Sequence, residues 1–288
     1  MKYCPKNRLV ILGSGGFISS AVEKILIKKK NKYLALNREK LDLENPKSAT
    51  ILKTTIKKND IILFIAAKAP VKSLEMFNRN MNILKNFCKY SNTKIIKKII
   101  YISSDAVYAD TKDKINESSS IIPTSIHGYM HAIREFYLKK IFARKLCILR
   151  PTLIYGEGDP HNSYGPNSFV RNLIKKENIN LYGKGEEKRD HIWVNDLAEI
   201  IYKCAYNKFI GILNVASGKT YSFYQIAKII KSIKKNKTKI LFSKRNGPMH
   251  HLGLRQFNVS LLKKIISPFN PQKFENIIGV IYKNYKIK

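Results

Sequence analysis

The sequence predicts an α/β fold in which helices cover both faces of a parallel sheet, a doubly wound arrangement. Short apolar runs of the kind that form buried parallel strands occur at RLVIL (8–12), YLAL (33–36), DIILFIAA (60–67), KIIYISS (98–104) and LCILR (146–150). Helix-length segments alternate with these runs, at 17–30, roughly 46–57, 71–90 and 128–144. A glycine-rich turn joins the first strand to the first helix. Repeated strand–helix alternation implies right-handed crossovers and one parallel sheet.

The length and the cysteine content limit the class of protein. A chain of 288 residues with 44% hydrophobic residues can build one sizeable domain or two interleaved ones. We expect neither a membrane span nor a secretory signal, because no long apolar run occurs and the N-terminus lacks a signal-like segment. The four cysteines show no CxxC spacing, which is typical of a protein of the reducing cytoplasm.

The strong positive charge favours a basic surface over a nucleic-acid site. The formal net charge is +34, and only 10 of the 54 basic residues are arginine. The lysines are spread along the whole chain, whereas a surface that follows phosphates is expected to cluster arginine with aromatic residues. We therefore interpret the charge as a solvated basic surface, which would still attract an anionic small substrate.

Loop-rich composition after residue 155 predicts a second, smaller lobe. The segment YGEGDPHNSYGPN is rich in Gly, Pro and Asn, and strand-like pieces return at 191–194 and 211–215. We expect residues 1–155 and roughly 191–216 to form a dinucleotide-binding domain. Residues 156–190 and roughly 217–288 would form an interleaved substrate-binding lobe.

The turn after the first strand has the composition of a dinucleotide-binding turn. In ILGSGGFISS, Gly13 permits the tight turn and Gly16 lets backbone N–H groups approach a pyrophosphate at the helix N-terminus. At the end of the second strand, Asn37 cannot bind ribose hydroxyls as a carboxylate would, whereas Arg38 can pair with a 2′-phosphate. The cofactor predicted here is NAD or NADP, with a preference for NADP.

Motifs along nearly the whole chain resemble the extended short-chain dehydrogenase/reductase family, which contains NAD-dependent nucleotide-sugar epimerases, dehydratases and reductases. GSGGFIS resembles the TGxxGFIG turn of that family, ISSDAVYAD its SSxxVYG segment, and LYGKGEEKRDHIWVNDLA its G-x-G-x-x-x-R-D-x-x-x-V-x-D segment. The resemblance implies a Rossmann-type fold. It also implies cofactor contacts from the residues at matching positions: Gly13, Ser14, Gly16, Phe17, Ile18, Asn37, Arg38, Asp42, Leu43, Ala66, Ala67, Lys68, Asn80, His131 and Pro151.

The family motif Tyr-x-x-x-Lys is replaced by histidines. Placed over the family pattern YGxSK, the segment PTSIHGYMHAIRE puts His127 at the tyrosine, His131 at the lysine and Glu135 at the following glutamate. The resemblance places Ser104 at the active-site Ser/Thr. A register shifted by two residues would instead put Tyr129 at the tyrosine, but it loses the glycine and puts Ile133 at the lysine.

Histidine can perform the proton chemistry that the family assigns to tyrosine. An imidazole has an ordinary pKa near 6.5 and can therefore accept a proton at neutral pH without a neighbouring cation. We expect His127 to act with Ser104 on the sugar hydroxyl, and His131 to contact the cofactor ribose. Other candidate bases are Tyr129, Tyr155, Asp105 and His161.

The two histidines also suggest a metal site, which we do not favour. HGYMH lacks the glutamate of HExxH, and the histidines at MHH (249–251), which could supply a third ligand, lie far along the chain. We predict no metal.

The resemblance also implies residues that bind the substrate. Arg189 and Arg245 would grip a diphosphate, Asn167 would contact the diphosphate or the sugar, and Asp105 would lie beside the substrate. Dehydratases of the family carry a glutamate where this chain has Ala106, so epimerisation or reduction is expected over dehydration.

The sequence therefore predicts a cytoplasmic NAD(P)-dependent epimerase or reductase that acts on a nucleotide-diphospho-sugar. Two alternatives remain open: a member that binds the cofactor without catalysis, and a basic RNA-binding member. The resemblance further implies a homodimer, with helices 71–90 and 128–144 at the interface. Phe136, Tyr137, Ile141 and Phe142 are interpreted as core and packing positions.

Overall fold

In a computed structural model of the protein, the structure describes residues 7–234 and 237–287. Within these stretches the chain forms strands β1 (Leu9–Leu12), β2 (Tyr33–Leu36), β3 (Ile61–Phe64), β4 (Lys98–Ile102), β5 (Leu146–Pro151), β6 (Leu153–Tyr155), β7 (Ile179–Tyr182), β8 (Lys188–Trp193), β9 (Gly211–Val215), β10 (Thr220–Ser222), β11 (Ile240–Ser243) and β12 (Leu254–Arg255). The α-helices of the same stretches are α1 (Phe17–Lys28), α2 (Pro46–Ala49), α3 (Leu52–Thr55), α4 (Leu74–Tyr90), α5 (Ile126–Phe142), α6 (Pro166–Lys175), α7 (Val194–Tyr206), α8 (Phe223–Ser232), α9 (Ser260–Ile265) and α10 (Phe274–Ile287).

A parallel central sheet carries the strand order β2-β1-β3-β4-β5-β9. β1 pairs with β2 on one side and with β3 on the other, so the strand order reverses next to β1. In sheets of this kind, ligands bind in the crevice outside the carboxyl ends of the strands at the reversal point. The predicted doubly wound parallel sheet is confirmed.

Helices cover both faces of this sheet, which explains why its inner strands are continuously apolar. Leu9 and Ile11 pack in one hydrophobic cluster with α1 and α7, whereas Val10 and Leu12 pack in a second cluster with α4 and α5. Successive side chains of a strand point to opposite faces, so a strand buried on both faces needs apolar residues at every position.

A smaller part of the molecule is built around β8. This strand pairs with β6 and β12 in parallel and with β10 in antiparallel orientation, while β7 pairs with β11. Helices α6, α8 and α10 share a third apolar cluster that includes Phe169, Ile226 and Ile278. The strand-like piece at 191–194 thus belongs to this second sheet, whereas 211–215 forms β9 of the central sheet.

Element boundaries follow the capping residues. The segment 46–57 forms two short helices, α2 and α3, where one helix was predicted. Helix α5 begins at Ile126, two residues earlier than predicted, because the Ser125 hydroxyl accepts a hydrogen bond from the Gly128 N–H (3.1 Å).

The interpretation of four large apolar residues of α5 as core and packing positions is wrong, within one chain, for three of the four. Phe142 is buried, but Phe136, Tyr137 and Ile141 are exposed by 54%, 51% and 41%. Their spacing is helical, but no element of residues 7–234 and 237–287 covers that face of α5.

A buried ion pair fixes α5 against β5. The Arg150 guanidinium donates to both carboxylate oxygens of Glu135 (2.8 and 2.5 Å), and the Ser103 hydroxyl donates to the same carboxylate (2.7 Å). Both charged side chains are almost completely buried. Removing one partner of such a pair leaves an uncompensated buried charge, so this contact holds the middle of α5 in a single position.

The start of α5 touches the polypeptide backbone that follows β4. A Cβ added at Gly128 would lie 2.1 Å from the carbonyl oxygen of Ala106 and 2.9 Å from the Pro123 side chain. Only glycine allows the helix to approach this closely. The contact brings His127 next to the 3-10 turn Asp105–Val107, which Ser104 caps.

We expect Gly128→Ala to lower the free energy of unfolding by about 1–3 kcal/mol, because helix and turn must separate to admit the methyl group. A matched control is Gly279→Ala in α10, where a Cβ would meet nothing within 4 Å. That substitution should leave stability unchanged or raise it by up to about 1 kcal/mol. Urea unfolding measures both values, and equal effects of the two substitutions would contradict the proposed close approach.

Candidate active site

The glycine-rich turn leaves bare backbone at the N-terminus of α1. A Cβ at Gly13, whose φ is +98°, would lie 2.7 Å from the Ala66 backbone, so this position brings the ends of β1 and β3 together. Nothing approaches a Cβ at Gly15, and only the Ser19 hydroxyl approaches one at Gly16, which caps α1. The Gly16 N–H donates to the Ser19 hydroxyl oxygen (2.9 Å), but the N–H groups of the first helical turn have no carbonyl of the helix to pair with, which suits a pyrophosphate. The residues therefore fit a dinucleotide, and Gly16, Phe17 and Ile18 line the adjoining cleft.

Charged residues surround the end of β2, where the adenosine end of a dinucleotide would lie. Arg38 is half exposed and its guanidinium approaches Asp42 (3.4 Å) and Glu44 (3.5 Å). Ser14 and Asn37 line a small neighbouring depression. Leu43, a predicted cofactor residue, is buried in the apolar core.

The loop after β3 is held by side chains from two helices. Asn80 is fully buried, accepts a hydrogen bond from the Lys68 N–H (3.0 Å) and donates to the Lys68 carbonyl (3.0 Å). Arg134 of α5 donates to the Ala66 carbonyl (2.8 Å). Asn80 thus supports the loop from behind, and of the Ala-Ala pair it is Ala67 that lines the cleft.

A cleft of about 720 Å³ runs from the α1 turn to the smaller part of the molecule. Among the residues that line it are Ser104, Asp105, His127, His131 and Pro151. The Ser104 hydroxyl accepts a hydrogen bond from the Ala106 N–H (3.1 Å) and donates towards Asp105 (3.4 Å). The structure therefore brings together the predicted serine and both predicted histidines, beside the glycine turn.

The hydrogen bond that His127 makes defines its protonation. The Val71 backbone N–H donates to Nδ1 of His127 (3.4 Å). With its Nδ1 lone pair engaged, the neutral imidazole carries its hydrogen on Nε2. Burial lowers the pKa of His127 below 6.5, although Asp105 opposes this shift. The neutral ring is therefore the form at neutral pH, and it presents an N–H donor.

His131 is oriented by a buried phenol. The Tyr101 hydroxyl lies 2.7 Å from Nδ1 of His131. Burial raises the pKa of Tyr101, which keeps the phenol protonated. The pKa of His131 lies well below 6.5, first because the ring is buried and then because His127 and Arg134 are near. Arg134 lies over the Tyr101 ring, but a guanidinium carries only donors and cannot accept the phenol hydrogen. The phenol is therefore expected to donate its hydrogen bond to Nδ1 of His131, which leaves the hydrogen of the neutral imidazole on Nε2.

The other candidate bases differ in position. Tyr129 is 51% exposed and does not line the cleft. The alternative register, which puts Tyr129 at the family tyrosine, therefore does not place a phenol in the site. Tyr155 is buried in the third apolar cluster, and burial raises the pKa of its phenol. His161 and Asp105 line the cleft.

Both arginines predicted to bind a diphosphate contact the same glutamate. Arg189 donates to Glu187 (3.0 Å), and Arg245 forms a second ion pair with the same carboxylate. Of the two arginines, Arg189 lines the cleft. Asn167 accepts a hydrogen bond from the Gly156 N–H (3.2 Å) and donates to Asp159 (2.7 Å). Asn167 does not itself line the cleft, but it fixes the loop that carries Asp159, which does.

Sequence reasoning missed Arg255 and gave His251 only a metal role. Arg255 is 1% exposed and contacts Asp105 (3.3 Å) and Asp110 (3.2 Å), and Nδ1 of His251 lies 2.6 Å from Asp110. Arg255 and His251 both line the cleft. The acidic residues lie about 145 positions earlier in the chain, so no local spacing could have indicated these pairs.

Neither a metal cluster nor a membrane span is found in the part of the chain that the structure describes. No group of three or more His, Cys, Asp or Glu side chains in residues 7–234 and 237–287 is arranged to hold a metal ion. None of the helices in these stretches combines the length and apolar character needed to cross a bilayer.

Comparison with known proteins assigns the family. The model of the "NAD dependent epimerase/dehydratase family" matches residues 9–216. A GDP-6-deoxy-D-talose 4-dehydrogenase from Aggregatibacter actinomycetemcomitans is 25% identical over 293 residues, which cover 96% of this chain and 92% of that protein.

Solved structures agree with the fold. UDP-glucose 4-epimerase from Thermus thermophilus in complex with NAD superposes with a TM-score of 0.80 at 20% identity, covering 97% of this chain and 99% of that one. RMD from Pseudomonas aeruginosa in complex with NADPH superposes with a TM-score of 0.81 at 16% identity, covering 98% and 99%. The two structures show the fold, and the match of the family model over residues 9–216 shows that the chain belongs to the NAD dependent epimerase/dehydratase family.

Proposed function

We propose that the protein is an NAD(P)-dependent oxidoreductase that acts on a nucleotide-diphospho-sugar as a reductase or an epimerase. One observation carries the proposal: Ser104 and His127 line the same cleft as the bare glycine turn of α1. The relative named above, a GDP-6-deoxy-D-talose 4-dehydrogenase, supports this kind of reaction. A nicotinamide bound at the turn would supply or take up the hydride.

The hydrogen-bond donors of the cleft favour the reductive direction. The Ser104 hydroxyl and the Nε2–H of His127 can both donate hydrogen bonds to a sugar carbonyl oxygen, on which negative charge develops as the hydride adds to the carbonyl carbon. The proton that completes the new hydroxyl group comes from water, because a neutral imidazole that gave up its Nε2 hydrogen would become an anion. To take a proton from a sugar hydroxyl through Nε2, His127 would need its other tautomer and would lose the Val71 hydrogen bond. His131, with Nε2–H, is assigned the donor position that lysine holds in the family motif.

The smaller part of the molecule is assigned the sugar nucleotide. Residues 156–190 and roughly 217–288 would form this lobe, with Arg189 facing the diphosphate from the cleft wall. Glu187 already pairs with Arg189 and Arg245. A diphosphate must therefore either displace the Glu187 carboxylate from these arginines or bind an arginine that stays paired with Glu187.

A second function is favoured by one observation. The chain lacks the Tyr-x-x-x-Lys pair and carries two neutral histidines, so a protein that binds the cofactor without turnover is the alternative. It predicts nucleotide binding with no reaction on any sugar nucleotide.

The proposed homodimer would use the exposed face of α5. Phe136, Tyr137 and Ile141 on this helix, together with Leu74 on α4, are exposed hydrophobic residues on two helices that pack together. Pairing with a second copy would remove this apolar surface from water.

The proposed cytoplasmic location is supported by the free thiols of Cys88, Cys147 and Cys204. Cys4 lies outside the described residues.

Turnover tests the proposal directly. We expect NADPH or NADH to be oxidised in the presence of a 4-keto sugar nucleotide, and His127→Asn to lower kcat by about a hundredfold or more because a donor to the reacting oxygen is lost. Ser104→Ala should have an effect of similar size, while the cofactor Kd stays unchanged. Because the pKa of His127 is lowered, its neutral form and the activity should persist below pH 6.5.

Tyr129→Phe is the matched control, since it lies two residues further along α5 and outside the cleft. Loss of activity in this variant with retention in His127→Asn would contradict the assignment of His127. Cofactor binding without any turnover would favour the non-catalytic alternative.

Cofactor preference depends on Arg38. We expect Arg38→Ala to raise the Kd for NADPH about tenfold, because a guanidinium contact to the 2′-phosphate is lost. The Kd for NADH in the same variant serves as the control and should not change. Equal Kd values for the two cofactors in the unsubstituted protein would remove the preference for NADP.

A further inference from the structure

The cleft is rich in histidine, and one of these residues has a carboxylate partner. Of the six histidines in the chain, five line the cleft: His127, His131, His161, His250 and His251. Nδ1 of His251 lies 2.6 Å from a carboxylate oxygen of Asp110. An imidazole that donates to a carboxylate through one nitrogen and faces a cleft has the arrangement of an oriented base.

Several contacts hold His251 in place. Arg189 donates to the His250 carbonyl (2.7 Å), which anchors the preceding residue. His251 and Leu252 both have a φ of +51°, a left-handed conformation that residues with a Cβ seldom adopt. Arg255 contacts the Asp110 carboxylate (3.2 Å) and thereby fixes the partner of His251.

The same contacts connect His251 to the serine and histidine already described. Arg255 also contacts Asp105 (3.3 Å), towards which the Ser104 hydroxyl donates. Asp105 acts electrostatically on both His127 and His251, raising the pKa of each against the larger opposite effect of burial. Both imidazoles therefore lie near one carboxylate on the cleft wall.

His251 and His127 present opposite tautomers. A carboxylate only accepts, so Nδ1 of His251 donates to Asp110 and its Nε2 keeps a free lone pair. In His127, Nδ1 accepts from Val71, and Nε2 carries the hydrogen. The cleft thus contains a proton acceptor in addition to two donors, the Ser104 hydroxyl and the His127 Nε2–H.

We propose that His251, oriented by Asp110, is a general base that removes a proton from a carbon next to the carbonyl group of a keto sugar nucleotide. The C–H bond breaks, the proton moves to Nε2 of His251, and the electron pair of that bond forms an enolate whose oxygen accepts hydrogen bonds from Ser104 and His127. Return of a proton to the same carbon restores the ketone, with exchange or inversion at that centre. No oxidant or reductant is consumed. The inference rests on the proposed function in one respect, that a keto sugar nucleotide binds in this cleft.

Removal of a proton next to a carbonyl group requires a base and a hydrogen-bond donor to the carbonyl oxygen, which His251 and His127 supply. A neutral imidazole that donates to a carbonyl oxygen, with a separate base for the neighbouring proton, is an arrangement that lets one site abstract protons next to a carbonyl at neutral pH. Asp110 is a positioning residue, since it acts on the substrate only through His251.

The tautomers can be measured without any substrate. In ¹⁵N-histidine-labelled protein at neutral pH, we expect NMR to show hydrogen on Nδ1 of His251 and on Nε2 of His127. Asp110→Asn should change the nitrogen shifts of His251, whereas Asp113→Asn, an exposed aspartate in the same loop, should not. Hydrogen on Nε2 of neutral His251, or a protonated His251 ring, would overturn the proposal irrespective of turnover.

Deuterium exchange tests the activity. UDP-4-keto-6-deoxyglucose and GDP-4-keto-6-deoxymannose are incubated with the protein in D₂O without NAD(P)H, and mass spectrometry and proton NMR locate the incorporated deuterium. We expect deuterium at a carbon next to the ketone, and a loss of at least about a hundredfold in the exchange rate in His251→Asn. Asp113→Asn should exchange at the unsubstituted rate.

The outcomes separate this proposal from the proposed function. NADPH oxidation by the unsubstituted protein with the same two probes reports hydride transfer. Exchange without NADPH oxidation would support the base and contradict the reductase, whereas NADPH oxidation without exchange would support the reductase and contradict the base. Undiminished exchange in His251→Asn would overturn the assignment of the base. Failure of both probes to bind would contradict the sugar-nucleotide site itself, and with it the activity inferred here.

Discussion

The close approach of Gly128 to the Ala106 carbonyl is the constraint on which the arrangement of the site depends. A side chain at this position would meet the carbonyl oxygen at 2.1 Å, so the start of α5 can rest on the turn after β4 only with glycine there. The contact places His127 beside Ser104, two residues that lie on different elements. The buried Glu135–Arg150 pair, two turns further along α5, fixes the rest of the helix against β5.

The electrostatics of the site differ from those implied by the family motif. A tyrosine requires a neighbouring cation to lower its pKa, whereas His127 and His131 are kept neutral by burial. The cation whose charge acts on His131 is Arg134, which is fully buried, lies over the Phe64 and Tyr101 rings and supports the loop at Ala66. The family motif has a cation, the lysine, in the cleft, whereas in this chain the cation Arg134 supports the loop behind the cleft. Hydrogen bonds then determine which nitrogen of each histidine can donate.

Much of the fold could be predicted from the sequence, and so could the part of the site next to the glycine-rich turn. Buried parallel strands, the glycines at 13 and 16 and the one-turn spacing of His127 and His131 are local patterns that follow from strand and helix geometry. Partners distant in the chain could not be predicted, because only tertiary packing brings Arg255 and His251 to Asp110, or Arg189 and Arg245 to one glutamate. For the same reason a helical spacing did not show that Phe136 and Tyr137 face outwards.

The decisive measurement is a crystal structure of the protein with NADPH and a 4-keto sugar nucleotide. We expect the sugar carbonyl oxygen to lie within hydrogen-bond distance, about 2.6–3.2 Å, of both the Ser104 hydroxyl and Nε2 of His127, with the nicotinamide ring against the carbonyl carbon. An imidazole at position 127 turned away from the sugar, or the Tyr129 phenol in its place, would contradict it.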